Sequence, residues 1–245
     1  MTITLKNLSA GYERHPAVHH VSGAFAAGSL TAIVGPNGGG KSTLLKALIG
    51  FLRPMSGSID YNDIVPRDIA YLPQQSEVDR SFPLSVAEVV TLGLWPKIGA
   101  FRAVSAAQQE DVMRALAETG MASFAARPIE ALSAGQWQRV LFARLIVQDA
   151  RVILLDEPFA AIDSRTAHDL THILQHWRGE GRTVIAVMHD LPSVRLHFPQ
   201  ALMLARELVA WGGTAEVLRD VNLARAQALA EKWTESADPC ERPAA

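Results

Sequence analysis

Cysteine is nearly absent from these 245 residues: the single one, Cys240, lies in a polar C-terminal stretch. An intrachain disulfide is excluded, and the composition suits a reducing compartment. Long apolar runs are missing too. The longest are about five residues, against the roughly 20 that a bilayer-crossing helix needs, so work at a membrane would require other subunits to supply the span. Basic runs are equally scarce and the formal net charge is −2, which leaves no footprint of a nucleic-acid binder. The opening residues Met1 to Lys6 carry no charged segment followed by an apolar run and a small-residue cleavage site, so no secretion signal is expected. No internal repeat or low-complexity block stands out. What is present is 49% apolar residues, ample for the core of one large domain or two small ones.

The most informative stretch is Gly35-Pro36-Asn37-Gly38-Gly39-Gly40-Lys41-Ser42-Thr43. Before it, Leu30 to Val34 has the composition of a short buried strand; behind it, Leu44 to Ile49 begins a helical pattern. Strand, glycine-rich loop and helix in that order describe a phosphate cradle. Glycines allow successive N–H groups to turn inward around an anion, and the helix N-terminus adds partial positive charge. Lys41 is placed to reach the β- and γ-phosphates, and the Ser42 hydroxyl to ligate Mg²⁺.

Along the rest of the chain, Ile3, Leu5 and Leu8 alternate as in an edge strand, with a turn expected at Ser9 to Tyr12. Tyr12, exposed after that turn, could stack on a purine, although a half-buried structural tyrosine fits as well. Val18 to Ala27 and Ser56 to Tyr61 suggest further strands of a small sheet, and Ile69 to Leu72 another strand ending at Pro73-Gln74-Gln75. From Val86 to Val147 the spacing is mostly helical, with loops expected around Pro96 to Gly99 and Arg127-Pro128. Phe82 to Val86, with Leu92, Leu94 and Trp95, could form a docking groove for a partner helix, or simply pack the insert onto the core.

Val152 to Asp156 is a continuous apolar run that ends in the acids Asp156 and Glu157, the pattern of a buried parallel strand. Ligands of such sheets sit at the strands' C-terminal edge, where Asp156 would reach Mg²⁺ and Glu157 the water. Asp163-Ser164 can cap a helix with Ala167, Leu170, Ile173, Leu174 and Trp177 on its apolar face. Thr183 to Met188 is one more buried strand, terminating at His189-Asp190. Ala201 to Leu204 and Leu208 to Trp211 close the sheet. A helix is expected from Asp220 to about Trp233, then a disordered tail. Leu132-Ser133-Ala134-Gly135-Gln136 precedes another helix, with Ser133 and Gln136 as a capping-box pair. Free N–H groups and a hydroxyl there make a second anion site, or just a well-capped helix.

Together these segments resemble the nucleotide-binding subunit of an ABC transporter over about residues 1 to 220. Gly35 to Thr43 resembles the Walker A motif, Gln74 the Q-loop glutamine, Leu132 to Gln136 the family signature, and Val152 to Glu157 Walker B with its catalytic glutamate. Ala160 to Asp163 resembles the D-loop and His189 the switch histidine, while Tyr12 falls at the adenine-stacking position. Two departures are Ala134, where the signature is usually LSGGQ, and Gly39, where serine or alanine is usual and little effect is expected. The resemblance implies an α/β fold: a P-loop NTPase core with a small antiparallel β subdomain and a helical insert at about 76–149. It makes residues 1–220 a single domain, followed by a C-terminal helix and tail over 221–245. It also implies an ATP sandwich, with Gly35 and Asn37 to Thr43 of one copy and Ser133, Gly135, Gln136 and Asp163 of another closing on the same nucleotide. Glu157 then polarises the attacking water, His189 holds γ-phosphate and water in line, Lys41 grips the phosphates, and Gln74 senses the Mg²⁺ held by Ser42 and Asp156.

Pro73 to Asp79, Phe82 to Val86 and Asp156 to Asp163 look similar to ATPases of zinc and manganese uptake systems. That implies ATP and Mg²⁺ as cofactors, a second copy and a membrane permease as partners, an extracytoplasmic solute-binding protein acting indirectly, and no nucleic acid. The expected location is the cytoplasmic face of the inner membrane, held peripherally. A motor for iron chelates or another small solute stays open, as does a soluble ATPase of iron–sulfur assembly. The chromosome-maintenance type needs long coiled-coil arms, for which about 90 residues without sustained heptads leave no room. His168, His172 and His176, four apart, could chelate zinc in pairs but read more simply as a solvated stripe opposite the apolar face. His15, His19 and His20 are assigned no role.

Overall fold

The computed structural model describes residues 2–13, 15–75, 78–99 and 102–235; the expected tail, with Pro239, Cys240 and Pro243, lies outside them. In chain order the structure has β1 (Ile3–Tyr12), β2 (His15–Phe25), β3 (Leu30–Val34), α1 (Lys41–Leu48), β4 (Ser56–Asp60) and β5 (Ile69–Leu72). A helical segment follows, made of α2 (Val86–Thr91), α3 (Trp95–Ile98), α4 (Ala106–Glu118) and α5 (Ala134–Gln148). Then come β6 (Val152–Asp156), α6 (Ser164–Gly179), β7 (Thr183–Val187), α7 (Leu191–His197), β8 (Gln200–Ala205), β9 (Glu207–Gly213), α8 (Thr214–Val217) and α9 (Asp220–Glu235).

The strands run in the order β4-β1-β2-β9-β8-β3-β7-β6-β5. From β8 to β5 all neighbours are parallel, whereas β1 pairs antiparallel with both β2 and β4. Every residue of β3, β6 and β7 is buried, because a parallel sheet is covered on both faces. The period of two sorts them. Val152 and Leu154 face a core with Leu44, Leu45 and Leu48 of α1. Ile153 and Leu155 face the other, with Phe142 of α5 and Leu170 and Leu174 of α6. Each such side chain contributes about 1.5–3 kcal/mol by leaving water. The helical segment shares that second core, through Val90, Leu116 and Leu141.

Two expectations are corrected here. β1 is not an edge strand: β4, which follows only after β2, β3 and α1, takes the edge, and β1 continues through Tyr12 without the expected turn. A half-buried strand alternates in the same way whether one or two neighbours bond to it, so periodicity could not distinguish them. The loop expected at Pro96 is instead the short helix α3, with proline in its first turn, where the missing N–H costs no hydrogen bond. No described helix is long and apolar enough to cross a membrane.

Candidate active site

β3 leads into the glycine-rich loop and α1 leaves it, so the loop sits at the C-terminal edge of the parallel sheet. It is pressed against its neighbours. A Cβ on Gly40, whose φ is 86°, would stand 2.3 Å from the Ala17 carbonyl oxygen. At Gly39 a Cβ would meet the carbonyl oxygens of Leu204 and Pro36, both at 2.9 Å. A serine or alanine at position 39 would therefore need a small shift of this neighbouring backbone, which glycine does not require.

Lys41 is buried, and its Nζ donates to the carbonyl oxygens of Gly35 at 3.0 Å and Pro36 at 2.9 Å. Burial lowers its pKa below the ordinary lysine value, with Glu157 and Asp156 pulling the other way. Ser42 donates its hydroxyl to Asp156 Oδ1 at 3.0 Å, tying the start of α1 to the end of β6. The next residue, Glu157, has a φ of 50°, a left-handed conformation uncommon for a glutamate that turns the chain sharply off the strand. Its Oε1 stands 2.6 Å from His189 Nε2, and its Oε2 accepts from Gln74 Nε2 at 3.0 Å.

These three side chains come from three adjacent parallel strands. Gln74 follows β5, Glu157 follows β6 and His189 follows β7, and the register of the two ladders brings the strand ends level. Strands about 4.8 Å apart thus deliver one polar group each to the same point. A cavity of about 600 Å³ results, lined by Asn37, Gly38, Gly39, Gly40, Lys41, Ser42 and Thr43 on one side and Gln74, Glu157 and His189 on the other. Ala17 of β2 also lines it. Nothing in the sequence signalled that residue, which arrives through strand pairing alone.

The remaining expected site residues stand outside this cavity's lining. Tyr12 ends β1 with 47% of its surface exposed. Ser133 caps α5: its Oγ accepts from the Gln136 N–H at 3.2 Å, and its own N–H donates to Gln136 Oε1 at 3.0 Å. That is the expected capping box, and it leaves the Ser133 hydroxyl its own O–H to donate. Asp163 caps α6, accepting from Thr166 N–H at 2.9 Å and its hydroxyl at 2.8 Å, which hold the carboxyl below the usual range. Gly135 lies beside both, a Cβ there being 3.5 Å from Asp163 Oδ2 and 3.4 Å from Thr166 Oγ1. Arg139 of α5 then reaches Asp169 of α6 at 2.6 Å.

A link the sequence did not disclose joins the Gln74 segment to Ser133. The Arg80 guanidinium donates to the carbonyl oxygens of Ile129 and Leu132 and lies over the Trp137 ring, 5.5 Å from its centroid. Gln75 Nε2 donates to the buried Gln138 Oε1 at 2.6 Å. An arginine 52 residues upstream of its acceptor carries no periodic signal.

A phosphate-sized cradle at a helix N-terminus, on the carboxyl edge of a parallel sheet and faced by a carboxylate, defines a P-loop nucleotide hydrolase. The ABC transporter family model matches residues 18–160, and the chain belongs to that family: it is an ATPase built on the ATP-binding cassette. The manganese transport system ATP-binding protein MntB of Bacillus subtilis (strain 168) is 37% identical over 226 residues, covering 90% of each chain. MntB of Halalkalibacterium halodurans is 38% identical over 219 residues, covering 88% of this chain and 87% of the other. Among solved structures, a dimeric ATP-binding cassette in a post-hydrolysis state with ADP and Pi superimposes with a TM-score of 0.76 at 27% identity. It covers 86% of this chain and 98% of that one. A nucleotide-free cassette from an ABC transporter reaches 0.80 at 21% identity, covering 93% and 99%, which speaks for the fold.

Proposed function

We propose that this chain is the ATP-hydrolysing subunit of a transporter that takes up a divalent metal ion, manganese or zinc. The hydrolytic part rests on the convergence of Gln74, Glu157 and His189 on the loop cavity. Lys41 grips the β- and γ-phosphates, exchanging its two carbonyl acceptors for phosphate oxygens. Glu157 accepts the proton of the attacking water, His189 holds water and γ-phosphate in line, and Gln74 fixes the second carboxylate oxygen. Ser42 Oγ and Asp156 Oδ1, 3.0 Å apart, with the Gln74 amide on the same wall, are hard oxygen donors that fit Mg²⁺. Bound there, the ion supplies positive charge against the phosphates.

Tyr12 serves as the adenine platform. Ser133, Gly135 and Gln136, with Asp163 beside them, serve the nucleotide held by a second copy, since they do not line the cavity of their own chain. The cargo reading is supported by the manganese-transport relatives, matched over most of both chains. With no described membrane-crossing helix, the subunit works peripherally, at the cytoplasmic face of the inner membrane. There it acts with a permease and, indirectly, an extracytoplasmic binding protein.

Deletion of the gene, complemented by wild type or Glu157→Gln and read by elemental analysis of the cells, tests this. Wild type restores manganese or zinc accumulation and the variant does not. Unchanged accumulation of both metals after deletion overturns the cargo, and a tagged subunit that brings down no permease overturns the transporter.

A further inference from the structure

The histidine stripe on α6 is not uniform. His168 and His172 meet edge to face, with ring centroids 4.5 Å apart and an interplanar angle of 90°, and their Nε2 atoms stand 3.0 Å apart. His176 turns to Glu180 instead, at 3.3 Å. Two imidazole nitrogens at 3.0 Å cannot both direct a proton at each other, so at least one lone pair points into the gap. Nitrogens sharing a tetrahedral zinc ion, at bonds of 2.0–2.1 Å, lie about 3.3 Å apart. A few tenths of an ångström of rotamer adjustment therefore admits an ion. His197, at the end of α7, closes the same corner: its Nδ1 is 3.3 Å from Gln175 Nε2, and burial, then the charges of His168 and His172, lower its pKa.

We infer that His168 and His172 form a two-imidazole clamp for a divalent ion of the zinc class, its other positions held by water. Histidines at i and i+4 on one helix face are a known chelating arrangement. Imidazole suits zinc, nickel and copper, whereas manganese and magnesium take oxygen donors. Among the described residues no group of three or more His, Cys, Asp or Glu is arranged to hold a metal. The clamp is thus an open, exchangeable site and not a structural one. Its position matters because α6 also carries the Asp163 cap and the Asp169 partner of Arg139. An ion across one turn of α6 braces the helix that joins the Asp163 loop to the Ser133 helix. The inference stands apart from the cargo reading and holds whichever solute is moved.

The test is titration of Zn²⁺ into the nucleotide-free full chain against a competing chromogenic chelator, for wild type, His168→Ala, His172→Ala and His176→Ala. Both exposed sites tolerate alanine, a better helix former, and far-UV circular dichroism checks the fold. His168→Ala and His172→Ala each lose one equivalent of zinc, or weaken it at least about tenfold, one decade of affinity. His176→Ala binds as wild type does, and equimolar Mn²⁺ does not displace the ion. Titrations of His168→Ala and His172→Ala that match wild type overturn the clamp, as does an equal loss in His176→Ala.

Discussion

Glu157→Gln separates the chemistry of this site from its architecture. Glu157 offers one oxygen to Gln74 Nε2 at 3.0 Å and the other to His189 Nε2 at 2.6 Å. Glutamine has the same shape and keeps one acceptor, which Gln74 retains. Its amide N–H then faces His189 Nε2, and the imidazole accepts it in the tautomer with the proton on Nδ1. Fold stability therefore shifts by at most about 1.5 kcal/mol, the net worth of one hydrogen bond. The amide cannot take a proton from water, and a positioned base is worth about 10²- to 10⁴-fold, or roughly 3–5 kcal/mol of barrier at 1.36 kcal/mol per decade. Phosphate release at saturating Mg²⁺ and ATP, paired with nucleotide binding measured by isothermal calorimetry, reads both quantities. Binding within a few fold of wild type with hydrolysis down at least a hundredfold is expected, on the order that base removal costs. Hydrolysis at the wild-type rate would refute the assignment of Glu157 as base.

Gly40→Ala and Gly38→Ala differ in what their Cβ meets. At Gly38 (φ 73°) nothing lies within 4 Å, so only the left-handed conformation costs, about 1–2 kcal/mol. At Gly40 the Ala17 oxygen at 2.3 Å adds a backbone clash, raising the loss above ~3 kcal/mol; equal melting temperatures would contradict this. Phe142, wholly buried and stacked 5.8 Å from Trp177, should cost about 3–5 kcal/mol as Phe142→Ala in urea unfolding. Asp169 is held below its unperturbed value of 3.8, chiefly by the hydrogen bond from Arg139. A depressed carboxyl pKa stabilises the fold fully above the unfolded value and loses that contribution as pH falls through the folded one. The stability gap between wild type and Asp169→Asn should thus be constant above pH ~4 and shrink below it. A gap unchanged in acid denaturation would remove Arg139–Asp169 as its cause.

The phosphate loop was legible because its chemistry is contiguous: glycines, lysine and serine act within nine residues, and strand and helix flank them directly. The Ser133–Gln136 cap and the buried strand ending at Asp156 are local in the same sense. Glu157 was legible as an acid at the end of a buried strand, but its meeting with Gln74 and His189, whose roles came only from the family resemblance, was not. Separated by 83 and 32 residues, they meet because β5, β6 and β7 lie side by side in register, an arrangement set by burial of both faces of the parallel sheet. The same holds for Ala17 under Gly40, for Arg80 spanning to Leu132, and for the close approach of β8 to Gly39. The spacing of His168 and His172 was plain from the sequence, while the edge-to-face turn of their rings came from the packed helix. Short-range pattern determined which residues could do chemistry, and tertiary pairing decided which of them share one cavity, because hydrogen-bonded register is a property of two strands at once.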